Sequence, residues 1–199
     1  MPFSQSSQLA TIVGFMESVR PRSILDIGVG FGQYGFLART NLEHLNLFDV
    51  NGSNAKKRPK SEWQITIDGI EGFAPYLTPV HEYAYNEIFI GDALELVPQL
   101  DRQYDLILAI DILEHFHKEP GQDFLRQLKN IALGHILVST PKQFIEQHEE
   151  ANPYENHRSH WIESDLISQG YSRILDNRES WIAVYTVAPE GVRSENEQG

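Results

Sequence analysis

One stretch decides the fold of this 199-residue chain: Ile24-Leu25-Asp26-Ile27-Gly28-Val29-Gly30-Phe31-Gly32. An apolar run ends in an acid and is followed by glycine at every second position, a pattern typical of a buried strand that enters a tight turn. Glycine accepts positive φ and has no Cβ, so Gly28, Gly30 and Gly32 let backbone N–H groups face a bound molecule. Asp26 can accept hydrogen bonds from a hydroxyl or cationic group of that molecule. The stretch therefore predicts a small-molecule site at the end of a strand.

The composition restricts the class of protein that carries this turn. Hydrophobic residues make up 41% of the chain, which is enough for one α/β domain with a proper core. The formal net charge of −12 disfavours extended contact with nucleic acid. The chain has no cysteine, which excludes disulfides, thiolate metal sites and cysteine nucleophiles. Neither a signal-peptide pattern nor a membrane-length apolar run occurs, so we expect a cytoplasmic protein without a membrane partner.

Helices and strands alternate along the chain. Strands are predicted over 23–28, 63–71, 87–91, 104–110, 135–140, 171–176 and 181–187, and helices over 6–19, 33–39, 93–100, 121–132 and 161–169. Several strands are nearly continuous apolar runs, as in parallel sheets that are buried on both faces. The alternation predicts an α/β fold with a doubly wound, mostly parallel seven-stranded sheet. The last two strands are joined by a connection too short for a crossover helix, so they should form an antiparallel hairpin.

Two long connections and a tail complete the predicted organisation. Residues 1–187 are expected to form a single domain, and residues 188–199 a flexible tail. The connection at 40–62 has little periodicity and is predicted to be an inserted, partly disordered loop. The connection at 141–160 follows the fifth strand of the sheet and is a candidate lid, in which Tyr154 would form a substrate wall. Trp161, at its end, is interpreted as a core anchor.

The glycine spacing separates two kinds of nucleotide-like ligand. A dinucleotide site requires G-x-G-x-x-G, whereas the third glycine here comes one residue earlier. The D-x-G-x-G-x-G form resembles motif I of the class I S-adenosylmethionine (SAM) methyltransferases. A mostly parallel sheet that ends in one reversed hairpin is also similar to the fold of that family. The resemblance covers residues 6–187 and implies that SAM is the cofactor and that the glycine turn with Asp26 binds it.

Acids at the next strand ends match the positions that hold the cofactor in that family. The resemblance implies that Glu71 accepts hydrogen bonds from both ribose hydroxyls, and Asp68 is the alternative if the second strand ends earlier. Asp92 would accept from the adenine amino group, and Ala93 would donate its backbone N–H to a ring nitrogen. Asp92 also fits the N-cap of the following helix, a position that aspartate favours.

The residues after the fourth strand are candidates for chemistry. The methyl group of SAM is already electrophilic, so a protein needs only to position the acceptor, exclude water and, for a hydroxyl, remove a proton. His115 and His157 are candidate bases because imidazole titrates near neutral pH. Asp111 would hold the ammonium of the cofactor or contact the substrate. These three residues are the predicted catalytic set.

A metal site is an alternative at the same place. Asp111-x-x-Glu114-His115 resembles the E-x-x-E-H motif of two groups of Mg-dependent relatives, the ubiquinone-pathway O-methyltransferases and the enzymes that 2′-O-methylate small-RNA 3′ ends. With His157, these residues would hold a divalent cation that acidifies a substrate hydroxyl. The motif departs at its first position, where Asp gives a shorter ligand arm than Glu. Many metal-free class I enzymes also carry D-x-x-E-H, so a site without metal is the favoured interpretation.

The sequence therefore predicts a SAM-dependent methyltransferase that acts on an oxygen or nitrogen of a small or surface-exposed acceptor. The alternative is a non-catalytic SAM-binding or partner-binding module on the same fold. A nucleotide-dependent oxidoreductase is disfavoured because G-x-G-x-x-G is missing. The acidic balance argues against a nucleic-acid acceptor, and no pattern in the chain specifies the acceptor or the oligomeric state.

Overall fold

A computed structural model of the chain describes residues 6–188. The strands are β1 (Ser23–Ile27), β2 (Phe48–Asn51), β3 (Asn54–Lys57), β4 (Thr66–Glu71), β5 (Glu87–Ile90), β6 (Tyr104–Ile110), β7 (Ala132–Pro141), β8 (Arg173–Leu175) and β9 (Ser180–Thr186). The α-helices are α1 (Leu9–Val19), α2 (Gln33–Leu42), α3 (Pro79–Ala84), α4 (Ala93–Leu96), α5 (Lys118–Leu128) and α6 (Glu163–Ser168). The predicted tail lies outside the described residues except for residue 188, so the division into a domain and a tail stays a prediction.

Seven of the strands form one sheet in the order β5-β4-β1-β6-β7-β9-β8. The neighbours from β5 to β7 are parallel, whereas β9 runs antiparallel to both β7 and β8. This confirms the predicted doubly wound sheet with a terminal antiparallel hairpin. The strand order reverses between β1 and β6, and open α/β sheets bind their ligands at such a switch point.

The central strands are buried because helices cover both faces of the sheet. On one face, side chains of α1, α2 and α3 pack on alternate residues of β1 and β6, such as Ile24 and Leu108. On the other face, α4, α5 and α6 pack on the residues between, such as Leu25 and Ile107. Because an apolar helix layer covers each face of the sheet, most residues of β1 and β6 are apolar. No helix within residues 6–188 has both the length and the apolar character needed to cross a bilayer.

The segment 40–62, predicted as an inserted and partly disordered loop, contains regular elements. The helix α2 continues to Leu42, and β2 and β3 pair as an antiparallel hairpin with Asn51 opposite Asn54. Gly52 lies in the turn with φ 61°, a conformation that glycine adopts without strain. Phe48-Asp49-Val50-Asn51 alternate between apolar and polar residues, but the run has only four residues, and all eight strand residues of the hairpin are exposed, so no buried run marks it.

The helix α3 was also absent from the sequence prediction. It has six residues, which is too short for a visible helical period. The pair Thr78-Pro79 is a helix-start signal, because Thr favours the N-cap and Pro the first helical position. This signal could have identified the helix, which lies behind the glycine turn.

Candidate functional site

A cavity of about 870 Å³ opens where the parallel strands end. Its walls come from the residues that follow β1, β4, β5 and β6, and from the end of β7. Residues of the 141–160 connection and Ser6, which precedes α1, complete the lining. The cavity therefore lies at the switch point of the sheet, where the sequence pattern predicts a ligand.

The glycine turn forms one wall of this cavity. Gly28, Gly30 and Gly32 have φ values of 75°, 52° and 80°, all in the left-handed region. Gly28 and Gly30 line the cavity, whereas Gly32 does not. A Cβ at Gly32 would lie 3.2 Å from Nε2 of His81. Because glycine has no Cβ, His81 can pack closely behind the turn. The three glycines thus divide into two that face the ligand space and one that serves the packing.

Glu71 lies in the cavity wall at the end of β4. One of its carboxylate oxygens accepts from the N–H of Gly30 at 2.9 Å, and the other accepts from the N–H of Phe73 at 2.8 Å. Burial raises the pKa of this carboxyl group, and the nearby charge of Glu155 adds to the effect. Each oxygen retains capacity for a second donor. Glu71 is therefore placed where it can accept from a hydroxyl-bearing ligand.

Asp68 has a different environment. Its carboxylate accepts from the hydroxyl of Tyr104 and from the guanidinium of Arg102, both at 3.0 Å. The side chain is buried and does not line the cavity. Glu71 and Asp68 were the two sequence candidates for the acid that binds the ribose hydroxyls. The structure places Glu71, and not Asp68, in the cavity wall.

Asp26 does not line the cavity either, in contrast to the expectation from its position in the motif. Its side chain is buried and accepts from the hydroxyl of Tyr85 at 2.6 Å. The same hydroxyl accepts from the N–H of Gly35 at 3.2 Å, so the three groups join β1 to α2 and α3. Burial raises the pKa of Asp26 to about 6. Asp26 therefore supports the turn from behind instead of presenting its carboxylate to the ligand space.

Asp92 and Ala93 line the cavity at the end of β5. Oδ1 of Asp92 accepts from the N–H of Leu94 at 2.8 Å, which makes Asp92 the N-cap of α4. The second carboxylate oxygen remains for a ligand. The two sequence interpretations of Asp92, helix cap and ligand contact, are compatible in this geometry.

Asp111 follows β6 with φ 51°, a value that is uncommon for a residue other than glycine. Its Oδ2 accepts from the side-chain amide of Gln8 at 2.6 Å, and its Oδ1 accepts from the hydroxyl of Ser139 at 2.9 Å. Asp111 lines the cavity, and Gln8 is fully buried beside it. Sequence analysis missed Gln8 and Ser139, because a polar residue at a helix start or within a strand carries no signal of its partner.

Glu114, His115 and His157 form a cluster in which their ligand atoms lie within 4.8 Å of one another. Nδ1 of His115 faces the carbonyl of Asn156, and Nδ1 of His157 faces the carbonyl of Ile145, so Nε2 of each ring is the nitrogen available to a ligand. Burial, followed by the charge of His157, lowers the pKa of His115 to about 4. Both the arrangement and the donor types suit a divalent cation, for which neutral imidazole and carboxylate are common ligands.

Glu114 is the buried member of this cluster. Its Oε2 has no hydrogen-bond partner among the described residues, which is a costly state for a buried carboxyl group. Burial, and then the charge of Asp111, raise the pKa of Glu114 well above its usual range. Asp111 does not belong to the cluster. The four-residue metal set that the sequence suggested therefore reduces to three.

Residues 141–160 lie across the cavity from one rim to the other. On one side, the N–H groups of Arg158 and Ser159 donate to the carbonyl of Glu114 at 2.7 and 3.2 Å. On the other side, the amide of Asn152 donates to the hydroxyl of Tyr76 at 3.1 Å. The ring of Tyr154 packs on Gly72, where a Cβ would come within 3.1 Å of it. This connection forms a roof over the ligand space.

Trp161 anchors the end of this roof in the core. Its side chain is fully buried, and its indole N–H donates to the carbonyl of Leu113 at 3.0 Å. A Cβ at Gly121 would lie 2.6 Å from the indole ring, so this position in α5 requires a glycine. The interpretation of Trp161 as a core anchor agrees with this placement.

Comparison with solved structures shows that this chain has the fold of the class I methyltransferases. The sequence matches no protein-family profile and no curated protein. The N-terminal domain of EvdMO1 with SAH bound is similar with a TM-score of 0.60 at 18% identity, covering 93% of this chain and 83% of that one. Magnesium protoporphyrin IX methyltransferase (ChlM) from Synechocystis PCC 6803 with bound SAM gives 0.56 at 16%, covering 92% and 79%. The methyltransferase domain of bacterial CtHen1 gives 0.54 at 20%, covering 91% and 98%.

Proposed function

We propose that this chain, which has the class I methyltransferase fold, is a SAM-dependent methyltransferase that acts on an oxygen or nitrogen of a small or surface-exposed acceptor. One observation carries the proposal: Gly28 and Gly30, Glu71, Asp92 and Asp111 line a single cavity at the switch point of the sheet. They lie at the carboxyl ends of four parallel strands, β1, β4, β5 and β6, so the fold alone brings them together. The structural neighbours with bound SAM or SAH support the same assignment.

The residues that would hold SAM fit its chemical groups. Glu71 would accept from the ribose hydroxyls, and Asp92 with the N–H of Ala93 would meet the adenine edge. Asp111 would hold the ammonium group, with Gln8 and Ser139 keeping its carboxylate in place. SAM, when bound, supplies a methyl group that is already electrophilic, so no covalent residue is required. The turn at Gly28 and Gly30 would contact the cofactor through backbone atoms, because no side chain intervenes.

The rest of the cavity would receive the acceptor. His115 and His157 line this part with His117, and His157 would take a proton from an acceptor hydroxyl. The pKa of about 4 makes His115 a weak base, in contrast to the expectation from the sequence. Phe116 and Ile145 contribute apolar surface beside them. The roof at 141–160 would exclude water from the reacting atoms. The combination suits an acceptor with an apolar body and one polar group at the methylated position.

A specific observation favours a metal-assisted form of the same reaction. Glu114, His115 and His157 converge, and Oε2 of Glu114 is buried without a partner among the described residues. A divalent cation held there supplies a positive charge that stabilises an ionised acceptor hydroxyl. Glu114 would be its anionic ligand and the two Nε2 atoms its neutral ligands. Asp111 would stay with the cofactor.

The test begins with binding of S-adenosylhomocysteine (SAH) by isothermal titration calorimetry and continues with transfer from labelled SAM to a panel of phenols, sugars and amines. We expect binding of one SAH per chain and turnover with at least one acceptor class. Stoichiometric binding without turnover on a broad panel would instead support a non-catalytic module. Binding of NAD and not of SAM or SAH would overturn the proposed cofactor.

The metal-assisted form has its own test. The protein is treated with a chelator, and Mg²⁺, Mn²⁺ or Zn²⁺ is then added back. The variant Glu114→Gln is compared with Glu119→Gln, because Glu119 is an exposed acid in α5. If the cation takes part, chelation and Glu114→Gln stop transfer while SAH still binds, and Glu119→Gln has no effect. Unchanged transfer in chelator would exclude the metal-assisted form.

A further inference from the structure

The glycine turn is supported from behind by His81, a residue of α3 that does not line the cavity. His81 is 3% exposed. Its ring stacks on Tyr85 with centroids 5.8 Å apart and an interplanar angle of 18°. Tyr85 in turn bonds Asp26, so His81 belongs to the layer on which the turn rests. The proposed reaction assigns no role to this buried titratable side chain.

The hydrogen bonds of His81 define which ring nitrogen carries the proton. The backbone N–H of Thr78 donates to Nδ1 at 3.0 Å, so Nδ1 is an acceptor. In a neutral imidazole the other nitrogen then carries the hydrogen. Nε2 lies 2.9 Å from the carbonyl oxygen of Gly30 and donates to it. His81 therefore connects the start of α3 to the middle of the glycine turn.

Gly30 is consequently held at both of its polar groups. Its N–H donates to Glu71 at 2.9 Å, and its carbonyl accepts from His81 at 2.9 Å. The left-handed φ of 52° at Gly30 would be one of many accessible values for a free glycine. The two bonds select it and thereby fix the direction of the neighbouring N–H groups. Ordering a glycine before the ligand arrives removes an entropic cost from binding.

We propose that His81 is a positioning residue for cofactor binding, which clamps the carbonyl of Gly30 and preorganises the turn. This inference rests on the proposed function, because the turn would receive SAM. The helix α3 would thus have a structural role in the site: its first turn carries His81, and Tyr85 follows its last residue. The cofactor never touches His81.

The position of His81 in its helix provides a discriminating pair of variants. His81 is the third residue of α3 after the N-cap Thr78, where Gln is favoured because its side chain can accept from the N-cap N–H. Gln also carries a donor for the carbonyl of Gly30, so His81→Gln can make both bonds. His81→Phe retains a ring that can stack on Tyr85 but makes neither bond. Glu82→Gly is the matched control, since it destabilises α3 at an exposed position and leaves the clamp intact.

Calorimetric titration with SAH measures the effect on binding. We expect His81→Phe to weaken SAH binding about tenfold, the equivalent of one buried hydrogen bond. His81→Gln should restore affinity to within about threefold of the parent, a rescue that general destabilisation would not produce. Glu82→Gly should lower the melting temperature without changing SAH affinity. Parental affinity in His81→Phe, or an equal loss in Glu82→Gly, would overturn the clamp.

Amide hydrogen exchange in the ligand-free protein separates this inference from the proposed function. The N–H groups of Gly30 and Gly32 donate to Glu71 and to the carbonyl of Val29, so their exchange reports the order of the turn. We expect faster exchange at both amides in His81→Phe and parental exchange in His81→Gln. Failure of the parent to bind SAH would refute the cofactor assignment only. Unchanged exchange in His81→Phe would refute the clamp.

Discussion

Two acids on the central strands, Asp26 and Asp68, hold tyrosine hydroxyls and do not reach the cavity. Glu71 and Asp92, which follow the same pattern of an apolar strand and a terminal acid, do line it. The residue type is therefore insufficient to assign a role. A carboxylate that faces a helix layer needs a buried donor, whereas one at the strand end meets the ligand space. This difference leads to two predictions at single residues.

Glu71→Ala should weaken SAH binding by about 1.5–3 kcal/mol, the range for hydrogen bonds to a charged group. The change removes the acceptor for a ribose hydroxyl and also the bond that orients Gly30. Asp68→Asn is the control, because it should lower the free energy of unfolding and leave SAH affinity unchanged. Calorimetry and urea unfolding measure the two quantities. Loss of affinity only in the Asp68 variant would reverse the assignment.

Asp26→Asn should change the pH dependence of stability. Burial raises the pKa of Asp26 from 3.8 to about 6, so the folded state binds the proton more tightly than the unfolded state. The stabilising contribution is present below about pH 3.8 and is lost as the pH rises to about 6. Since Asn stays neutral, the variant should gain about 2–3 kcal/mol relative to the parent between pH 4 and pH 7. Urea unfolding at both pH values measures the gain, and a constant difference would contradict the shifted pKa.

The elements that the sequence analysis missed are short and lie at the edge of the fold or behind the site. β6 was predicted with its exact limits, because six of its seven residues are apolar and occupy both faces of the sheet. The six-residue α3 and the exposed β2–β3 hairpin contain no apolar run of that length. Their structures depend on helix-start and turn residues, Thr78-Pro79 and Gly52, and on partners far along the chain. Their importance also differs: α3 supports the turn, whereas the hairpin pairs only with itself.

Replacing residues 48–57 by a short Gly-Ser linker should therefore leave the fold and the site intact. The hairpin strands are exposed, and a cation–π contact between Lys57 and Tyr83 joins them to α3. We expect the free energy of unfolding to change by less than about 1 kcal/mol, the size of such an exposed contact. Urea unfolding and SAH titration check this result. A large loss of SAH affinity would show that the hairpin contributes to the site.

At the scale of the whole molecule, the roof and the core are joined at Trp161. This residue is fully buried, packs against α5, and bonds the carbonyl of Leu113 in the segment that carries Glu114 and His115. The connection that lines the ligand space thus has its far end in the main hydrophobic core. Stability of the core and geometry of the site are coupled through this side chain.

Trp161→Phe should lower the free energy of unfolding by about 1–3 kcal/mol, because the carbonyl of Leu113 and the hydroxyl of Ser159 both lose the buried indole N–H. Trp181→Phe is the comparison variant, at a partly buried tryptophan whose indole nitrogen has no partner among the described residues. Urea unfolding of both variants measures the difference. An equal loss in the two would show that packing volume, and not the hydrogen bond, accounts for the effect.

By itself, the sequence determined the alternation of helices and strands, the reversed hairpin and the glycine turn, because periodicity, apolar runs and glycine spacing are local properties of the chain. The tertiary structure decided which acids face the cavity and which groups support them. His81 meets Gly30 across 51 residues, and Gln8 meets Asp111 across 103. Glu114 and His115 meet His157 only because the roof folds back over β6. Such contacts depend on the packing of distant elements, for which a single sequence contains no periodic signal.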